Sequence, residues 1–232
     1  MIVSVVVPLF NEAENVAPLQ SEIETAVAGI AFELIFVDDG STDETVQKIQ
    51  CNDQVHLIKL GVNQGQSAAI YAGIMAAHAP FIAVIDGDLQ NDPADIPRLL
   101  ATLQNRKDVD LVCGYRVKRK DTFFKRLQSR IANRVKRLFT RDGVQDSGCS
   151  LKVMRQECRE ALILFNGMHR FMPALIGSFG FGVIEIPVDH RARLHGRSHY
   201  GFRDRAWRGL LDLFGVCWLL SRRRGIGKRP QG

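Results

Sequence analysis

The sequence predicts an α/β fold in which a mostly parallel sheet carries helices on both faces. Apolar, β-branched segments recur at residues 2–7, 32–37, 55–58, 81–85 and 111–113. Segments with helical periodicity lie between them, at residues 16–28, 42–50, 67–78 and 95–103. Strands that are apolar almost throughout are typical of parallel sheets buried on both faces. Ligands of such sheets bind at the carboxyl ends of the strands, where this chain carries three polar clusters.

Length and composition indicate one globular domain. The 232 residues are 46% hydrophobic and 24% charged, which is ordinary for a soluble protein with one sizeable core. We expect this domain to cover residues 1–215, with halves at 1–110 and 111–215, and a basic tail to cover 216–232. The five cysteines form no C-x-x-C pair, which argues against a disulfide framework or zinc site and favours the cytoplasm. No signal peptide or membrane-spanning segment is predicted.

Charge is divided sharply along the chain. Residues 1–110 hold five Lys and Arg against sixteen Asp and Glu, a net charge of −11, whereas residues 111–232 carry +17. Such asymmetry predicts two partners of different charge, here a cation at the acidic half and an anion or anionic surface at the basic half. Solvated surface charge is the alternative.

The first strand ends in PLFNE and the second in VDDGSTDE. Asp38 and Asp39 stand at the second strand end, where carboxylates can accept hydrogen bonds from a ribose or a base. Ser41 and Glu44 have the S-x-x-E spacing of a capping box. This spacing predicts that they cap a helix at 42–50 and leave Asp38 and Asp39 free for a ligand.

The third strand is followed by NQGQSAAIYAG. Its Gly65 would let the backbone approach a ligand closely, although such a glycine taken alone more often serves packing than phosphate binding. The chain contains neither G-x-G-x-x-G nor G-x-x-x-x-G-K-[ST]. Their absence excludes the dinucleotide fingerprint and the phosphate loop of NTPases.

The fourth strand runs into DGDLQNDP, which has three aspartates within seven positions. Asp86 and Asp88 can point two carboxylates at one hard cation, with Gln90 as a further oxygen donor, which predicts a Mg²⁺ or Mn²⁺ site. An EF-hand is excluded because the sixth position counted from Asp86 is not glycine. A solvated turn is the alternative. For Asp92, which is followed by Pro93, we predict a helix N-cap.

The second half is strongly basic. Residues 122–140 place apolar side chains three and four positions apart, with basic residues outside that stripe, which predicts an amphipathic cationic helix. A strand at 183–188 and a further amphipathic helix, at 202–220, follow. Arginine forks suit phosphate oxygens, although most charge runs are solvated surface. The two basic clusters are Arg116, Arg119, Arg130 and Arg134, and the loop with His190, Arg193, Arg197 and Ser198. Nucleic acid is not the expected partner, because aromatic platforms are sparse and the sheet half is acidic.

Eight segments occur in an order typical of one enzyme family: VVVPLFNE, FVDDGSTDET, NQGQSAAIYAG, DGDLQNDP, GYRVKRKD, DSGCSLKVMR, HRFMPAL and HRARLHGRSHYG. Over residues 2–215 the chain resembles the family 2 glycosyltransferases of GT-A fold, and within them the dolichyl- or polyprenyl-phosphate sugar synthases. The resemblance implies a metal-dependent, inverting hexosyltransferase. Such an enzyme moves a sugar from a UDP- or GDP-sugar donor to a polyprenyl or dolichyl phosphate.

The resemblance also implies roles for particular residues. The nucleotide-sugar would be bound by Pro8, Asn11, Glu12, Asp38, Asp39, Gly65, Asp86, Arg193 and Ser198. The metal would be held by Asp86, Asp88 and Gln90, and the acceptor phosphate by Arg116, Arg130 and Arg134. The expected catalytic residues are Asp88, Arg116 and Asp146, with Asp146 orienting the acceptor. The loop that would close over the donor diphosphate also contains His190, Gly196 and Tyr200.

Two departures from the family pattern concern the partners. His199 stands where relatives usually have lysine, so phosphate affinity is expected to weaken as the pH rises. Many relatives have transmembrane helices after the catalytic domain, whereas this sequence continues only into a short helix and a basic tail. The expected contact with the anionic cytoplasmic membrane face is therefore peripheral.

Two alternatives stay open at this point. One is a soluble glycosyltransferase that acts on a saccharide or protein hydroxyl, and the other is a non-catalytic nucleotide-sugar-binding protein. The base, the sugar, the lipid and the formation of a homo-oligomer are open as well.

Overall fold

The computed structural model describes residues 1–116, 143–192 and 202–222, and these contain one seven-stranded sheet. Its strands are β1 (Val3–Leu9), β2 (Phe32–Asp38), β3 (Val55–Lys59), β4 (Phe81–Val84), β5 (Leu111–Arg116), β6 (Lys152–Arg155) and β7 (Val183–Val188). They lie in the order β3-β2-β1-β4-β6-β5-β7. Strand β6 runs antiparallel to both of its neighbours, and the other pairs in this sheet are parallel. The mostly parallel sheet predicted from the apolar runs is confirmed.

Helices cover both faces of the sheet. They are α1 (Val16–Ala26), α2 (Gln66–Ala76), α3 (Ile96–Asn105), α4 (Met172–Ser178) and α5 (Phe202–Arg222). Helices α1 and α3 contribute to one hydrophobic core together with Val5 and Val7 of β1. Helices α2 and α4 contribute to a second core together with Val6 of the same strand. Because successive side chains of a strand point to opposite faces, the two cores lie on opposite sides of the sheet.

The segment at 42–50 does not form the predicted α-helix. It contains only a short 3₁₀ turn at Val46–Lys48. Its polar side chains instead accept hydrogen bonds from the loop after β1, because Thr45 Oγ1 lies 2.8 Å from the Glu12 amide and Asp43 Oδ2 lies 3.2 Å from the Ala13 amide. Side-chain bonds of this kind compete with helix formation, so the segment joins two strand ends.

The strand β6 is the element that the periodic pattern does not predict. It is four residues long and starts with a lysine, which is too short and too polar for a strand signal. Its insertion beside β4 pairs Lys152 with Val84. The chain before β6 therefore lies at the carboxyl end of β4, where the acidic turn begins.

The predicted N-cap at Asp92 is confirmed. Its Oδ1 accepts a hydrogen bond from the Ala94 amide at 3.0 Å, and Pro93 begins a 3₁₀ turn that leads into α3. Because this carboxylate satisfies a helix terminus, it is set apart from the two aspartates that precede it.

The last described helix, α5, is amphipathic, as predicted. Leu213 and Val216 are buried in a small cluster with Phe171, whereas Phe214 and Trp218 are 63% and 64% exposed. The other predicted amphipathic helix, at 122–140, and the tail from 223 onward lie outside the described residues. Within the described ranges, no helix combines the length and the hydropathy that crossing a bilayer requires.

Candidate active site

Three polar loops meet at the carboxyl edge of the sheet. Strand β1 lies between β2 and β4 and is parallel to both, so the loops after these strands emerge side by side. The Asn11 amide donates to Ser41 Oγ at 3.0 Å, and the Thr42 amide donates to Asn11 Oδ1 at 2.8 Å. Asn11 has a φ of 55°, in the left-handed region that asparagine tolerates. The loop with Asn11 and Glu12, which follows Pro8 and Leu9 of β1, therefore adjoins the loop after β2.

The carboxylates at the end of β2 bind backbone amides. Asp38 accepts from the Ser41 amide at 3.2 Å. Asp39 is 3% exposed and accepts from the amides of Gln64 and Gly65 at 2.7 and 2.9 Å. Burial raises the pKa of Asp39, and these two amide bonds oppose the shift. Asp39 thus connects the end of β2 to the start of α2.

Two expectations about this loop are therefore wrong. Ser41 does not form a capping box, because its hydroxyl accepts from the loop after β1 and no α-helix follows it. Asp38 and Asp39 are not left free, because backbone amides occupy both. A role for Asp38 and Asp39 in nucleotide binding stays a prediction. In the structure, both carboxylates stabilise the conformation of the loops at the sheet edge.

The acidic turn after β4 is packed tightly against the end of β1. A Cβ at Gly87 would lie 2.7 Å from Leu9 Cδ2 and 3.0 Å from the Pro8 carbonyl oxygen, so a side chain there would displace the turn. Asp86 Oδ1 accepts from Gln66 Nε2 at 2.7 Å, and Asp88 Oδ1 accepts from the Gln90 amide at 3.2 Å. The turn holds both carboxylates in defined positions at the sheet edge.

The two carboxylates of this turn repel each other. Burial, and next the charge of Asp88, raise the pKa of Asp86 to about 6. A hydrogen bond with Ser150, the charge of Lys152 and the bond from Gln66 oppose this rise without cancelling it. A further positive charge beside Asp86 would therefore reduce the repulsion between the two carboxylates.

A divalent cation fits this donor set. Carboxylate oxygens are hard ligands, and Mg²⁺ typically takes one or two of them and completes its shell with water and substrate phosphate. Among the described residues no group of three or more His, Cys, Asp and Glu side chains could hold a metal. Asp86, Asp88 and Gln90 would hold the ion, and all three ligands stay a prediction.

The raised pKa of Asp86 predicts that metal affinity depends on pH. The ion binds the ionised carboxylate, and protons compete with it as the pH falls through about 6. We expect Mn²⁺ to bind about tenfold more weakly at pH 5 than at pH 7. Isothermal titration at several pH values measures this, and Asp86→Asn should weaken binding and flatten its dependence on pH. An affinity that is constant between pH 5 and 7 would contradict the assignment.

Arg116 and Asp146, two of the predicted catalytic residues, form a pair. The Nε and Nη2 atoms of Arg116 lie 2.7 and 2.8 Å from the two carboxylate oxygens of Asp146. The two side chains are 14% and 10% exposed. Glu185 of β7 accepts from the Asp146 amide at 2.9 Å. The guanidinium is therefore held in one orientation at the end of β5.

A cavity of about 260 Å³ opens beside Asp86. Its lining includes Gln66, Lys152, His169 and Arg170, which the predicted site does not contain. Lys152 is 3% exposed and donates to the Cys149 carbonyl oxygen. The segments DSGCSLKVMR and HRFMPAL contain three of these residues, Lys152, His169 and Arg170. Their proximity to Asp86 becomes visible only when β6 and the turn before α4 meet the end of β4.

The segment after β7 is fastened to the acidic turn. The Arg191 amide donates to the Gln90 carbonyl at 2.8 Å, and Arg191 Nη2 lies 2.8 Å from Asp92 Oδ2. His190 forms an isolated bridge with Asn91. The base of the predicted closing loop thus lies beside the predicted metal site. The remaining predicted phosphate-binding residues lie outside the described residues: Arg119, Arg130, Arg134, Arg193, Gly196, Arg197, Ser198, His199 and Tyr200.

Sequence comparison identifies relatives over most of the chain. A family model described as glycosyl transferase family 2 matches residues 4–162. A dodecaprenyl-phosphate galacturonate synthase of Rhizobium johnstonii is 40% identical over 94% of this chain and 67% of its own length. An undecaprenyl-phosphate 4-deoxy-4-formamido-L-arabinose transferase of an Enterobacter species is 35% identical over 86% of this chain and 63% of its own length. The chain thus spans about two thirds of the length of these curated relatives.

Structural comparison identifies the same fold in glucosyl-3-phosphoglycerate synthase from Mycobacterium tuberculosis. Its complex with Mn²⁺, UDP and phosphoglyceric acid superposes with a TM-score of 0.73 at 18% identity, covering 97% of this chain and 80% of that one. A second complex, with Mg²⁺ and UDP, gives a TM-score of 0.71 at 19% identity over 92% of this chain and 79% of that one. The predicted GT-A fold is confirmed.

Proposed function

The chain belongs to glycosyl transferase family 2, and from that premise we propose that it is an inverting glycosyltransferase that moves a sugar from a nucleoside-diphosphate donor to a polyprenyl phosphate. The observation that carries the proposal is that Asp86, which is coupled to Asp88, lines the same cavity as Gly148, and Gly148 lies beside the guanidinium of Arg116 that Asp146 holds. The names of the relatives, which are polyprenyl-phosphate transferases, support a lipid phosphate as the acceptor.

The chemistry requires little proton transfer from the protein. A phosphate monoester has a second pKa of about 6, so at neutral pH the acceptor is already mostly a dianion and needs no strong base. The residues must then align the acceptor oxygen with the anomeric carbon. In this proposal Asp146 holds the Nε and Nη2 edge of the Arg116 guanidinium, and the opposite edge of the same planar group binds the acceptor phosphate.

The donor diphosphate would lie at the acidic turn. A divalent ion held there would supply positive charge to the leaving diphosphate. Asp86 and Asp88 orient that charge, and the backbone around Gly65 adjoins the same edge, because Gln66 bonds Asp86. Arg193 and Ser198 would complete diphosphate binding. Since the transfer is a single displacement in this proposal, an α-linked donor gives a β-linked product.

In this proposal the protein also makes a peripheral contact with an anionic membrane face. The exposed aromatic side chains Phe214 and Trp218 of α5 fit the interfacial region of a bilayer, where aromatic side chains bury their rings. The sequence after them, RRRGIGKRPQG, is rich in arginine and lysine, which anionic lipids attract. We place this face on the cytoplasmic side, where nucleotide-sugars are available.

The experiment uses purified protein, Mn²⁺ and vesicles that contain undecaprenyl phosphate. Radiolabelled UDP- and GDP-sugars are offered one at a time, and the label in the organic phase is counted. We expect one donor class to label the lipid, with the protein co-sedimenting with anionic vesicles at low salt. Label on a saccharide or protein hydroxyl would replace the lipid acceptor by the soluble alternative. Donor binding without transfer to any acceptor would favour a non-catalytic protein.

A further inference from the structure

His169 lines the cavity beside Asp86, and its ring is held by a specific contact. Its Nδ1 lies 2.8 Å from Ser67 Oγ, in the first turn of α2. The same hydroxyl oxygen accepts a hydrogen bond from the Gly167 amide at 3.0 Å. Ser67 is 3% exposed, so its hydroxyl is shielded from water.

These contacts determine which ring nitrogen carries the proton. A serine hydroxyl has one hydrogen to donate, and a backbone amide is only a donor. The Gly167 amide therefore uses a lone pair of the Ser67 oxygen, and the hydroxyl hydrogen is directed to His169 Nδ1. If Nδ1 also donated to Ser67, the serine oxygen would accept twice and its own hydrogen would need another acceptor. The described contacts of the Ser67 hydroxyl include no such acceptor, and an unsatisfied buried hydroxyl costs free energy. Neutral His169 thus accepts at Nδ1 and has its hydrogen on Nε2.

The ring is also held in its neutral form. Burial, reinforced by the positive charges of Arg170 and Lys152, lowers the pKa of His169 to about 3. The imidazole is therefore uncharged at neutral pH. Ser67 and the surroundings together make it a hydrogen-bond donor of one defined tautomer, with its donating edge away from α2.

The size and lining of the cavity suit one polar ring. Its volume of about 260 Å³ lies below the range of about 300–1,000 Å³ typical of drug-sized ligands. Polar groups of Gln66, Ser150 and Lys152 share the lining with apolar Ile70 and Met172. A mixture of polar and apolar groups matches a pyranose, which has hydroxyls at its rim and C–H groups on its faces.

We propose that His169 is a specificity-determining residue, which donates a hydrogen bond from Nε2 to one oxygen of the donor sugar, and that Ser67 is the positioning residue that sets its tautomer. The inference rests on the proposed function, because it assigns the sugar of the nucleotide-sugar to this cavity. A donor whose sugar lacks that oxygen, or has it in the other epimeric position, leaves the Nε2 hydrogen in the cavity without an acceptor on the sugar. Sites built in this way discriminate strongly between substrates.

Three variants test the proposal. His169→Phe keeps a ring but has no donor, His169→Gln keeps an N–H donor at the end of the side chain, and Ser67→Ala removes the partner of Nδ1. His56→Gln is the control, since His56 is exposed on the edge strand β3. For each variant, kcat/KM is measured with UDP-glucose, UDP-galactose, UDP-galacturonic acid and the GDP-sugars. Undecaprenyl phosphate is the acceptor throughout.

We expect His169→Phe to lower kcat/KM for the preferred donor by about tenfold while changing it little for the epimeric donor, so that the preference shrinks. His169→Gln should retain part of the preference, and His56→Gln all of it. An equal loss with every donor in His169→Phe and His169→Gln would overturn the proposal, because that pattern indicates a structural role.

Nitrogen NMR of ¹⁵N-histidine-labelled protein gives a readout that needs no substrate. We expect the His169 resonances, identified by their loss in His169→Gln, to show a bare Nδ1 and a protonated Nε2, and Ser67→Ala to introduce the other tautomer. A protonated Nδ1 in the unmodified protein would overturn the inference even if the enzyme transfers sugar. Absence of transfer by the unmodified protein with every donor would overturn the proposed function, and the sugar assignment with it.

Discussion

Replacing Asp88 with alanine is expected to lower the rate of sugar transfer by about a thousandfold. The carboxylate of Asp88 is buried at the end of the acidic turn, in a position defined by the Gln90 amide. It interacts electrostatically with Asp86, whose pKa it raises. Removing it leaves one carboxylate to hold the divalent ion, so the leaving diphosphate loses stabilisation in the transition state. Transfer of label from the preferred donor to undecaprenyl phosphate measures the change.

The control for this prediction is Asp108→Ala. Asp108 is an exposed carboxylate that pairs with Arg106 at the surface, and its loss should leave transfer unchanged. Circular dichroism of both variants checks that the fold is retained. Full activity in Asp88→Ala would remove the metal site from the mechanism and revive the non-catalytic alternative.

Replacing Arg116 with lysine should lower transfer to the lipid phosphate by about a hundredfold while sparing slow hydrolysis of the donor. Lysine keeps the positive charge but lacks the planar fork that makes two parallel bonds to Asp146. The acceptor phosphate would then contact an ammonium group that Asp146 does not hold in one orientation, whereas the donor site around Asp86 is unchanged. Separate counting of lipid-linked and free labelled sugar distinguishes the two reactions.

Arg155→Lys is the matched control for this variant. Arg155 is also half-buried and lies 3.6 Å from a carboxylate, that of Asp110, and its guanidinium donates to the Leu103 carbonyl at 2.9 Å. Its replacement should lower the melting temperature without a selective effect on transfer. If both variants lose transfer and hydrolysis to the same degree, the effect of Arg116→Lys comes from folding, and the assignment of Arg116 to the acceptor fails.

The local pattern was sufficient for the strands of the first half and for the N-cap at Asp92. Continuous apolar runs of strand length predict buried parallel strands, and polar residues that follow them predict a ligand edge. Asp92, followed by proline, carries its own capping signal, and the structure confirms it. These features depend on residues that are neighbours in the chain.

The failures at residues 41–50 have a common physical cause. The S-x-x-E spacing is a valid local signal for a capped helix. In the folded chain, however, the side chains of Ser41 and Thr45 bind amides about thirty residues away in the loop after β1. The tertiary contact competes for the same hydroxyl groups and prevails, so no helix forms there.

By itself, the sequence determined the α/β class, the polar residues at the strand ends and the position of Asp86 and Asp88 in a turn after β4. These features follow from the periodicity of apolar residues, which indicates burial, and from local residue types, which indicate turns. Only the tertiary structure decided that Lys152 and His169 lie beside Asp86, since the antiparallel insertion of β6 and the contact of His169 with Ser67 unite segments far apart in the chain. It likewise decided that Arg116 is held by Asp146. The proximity of these residues depends on the order of the strands in the sheet, which cannot be inferred from any one segment of the sequence.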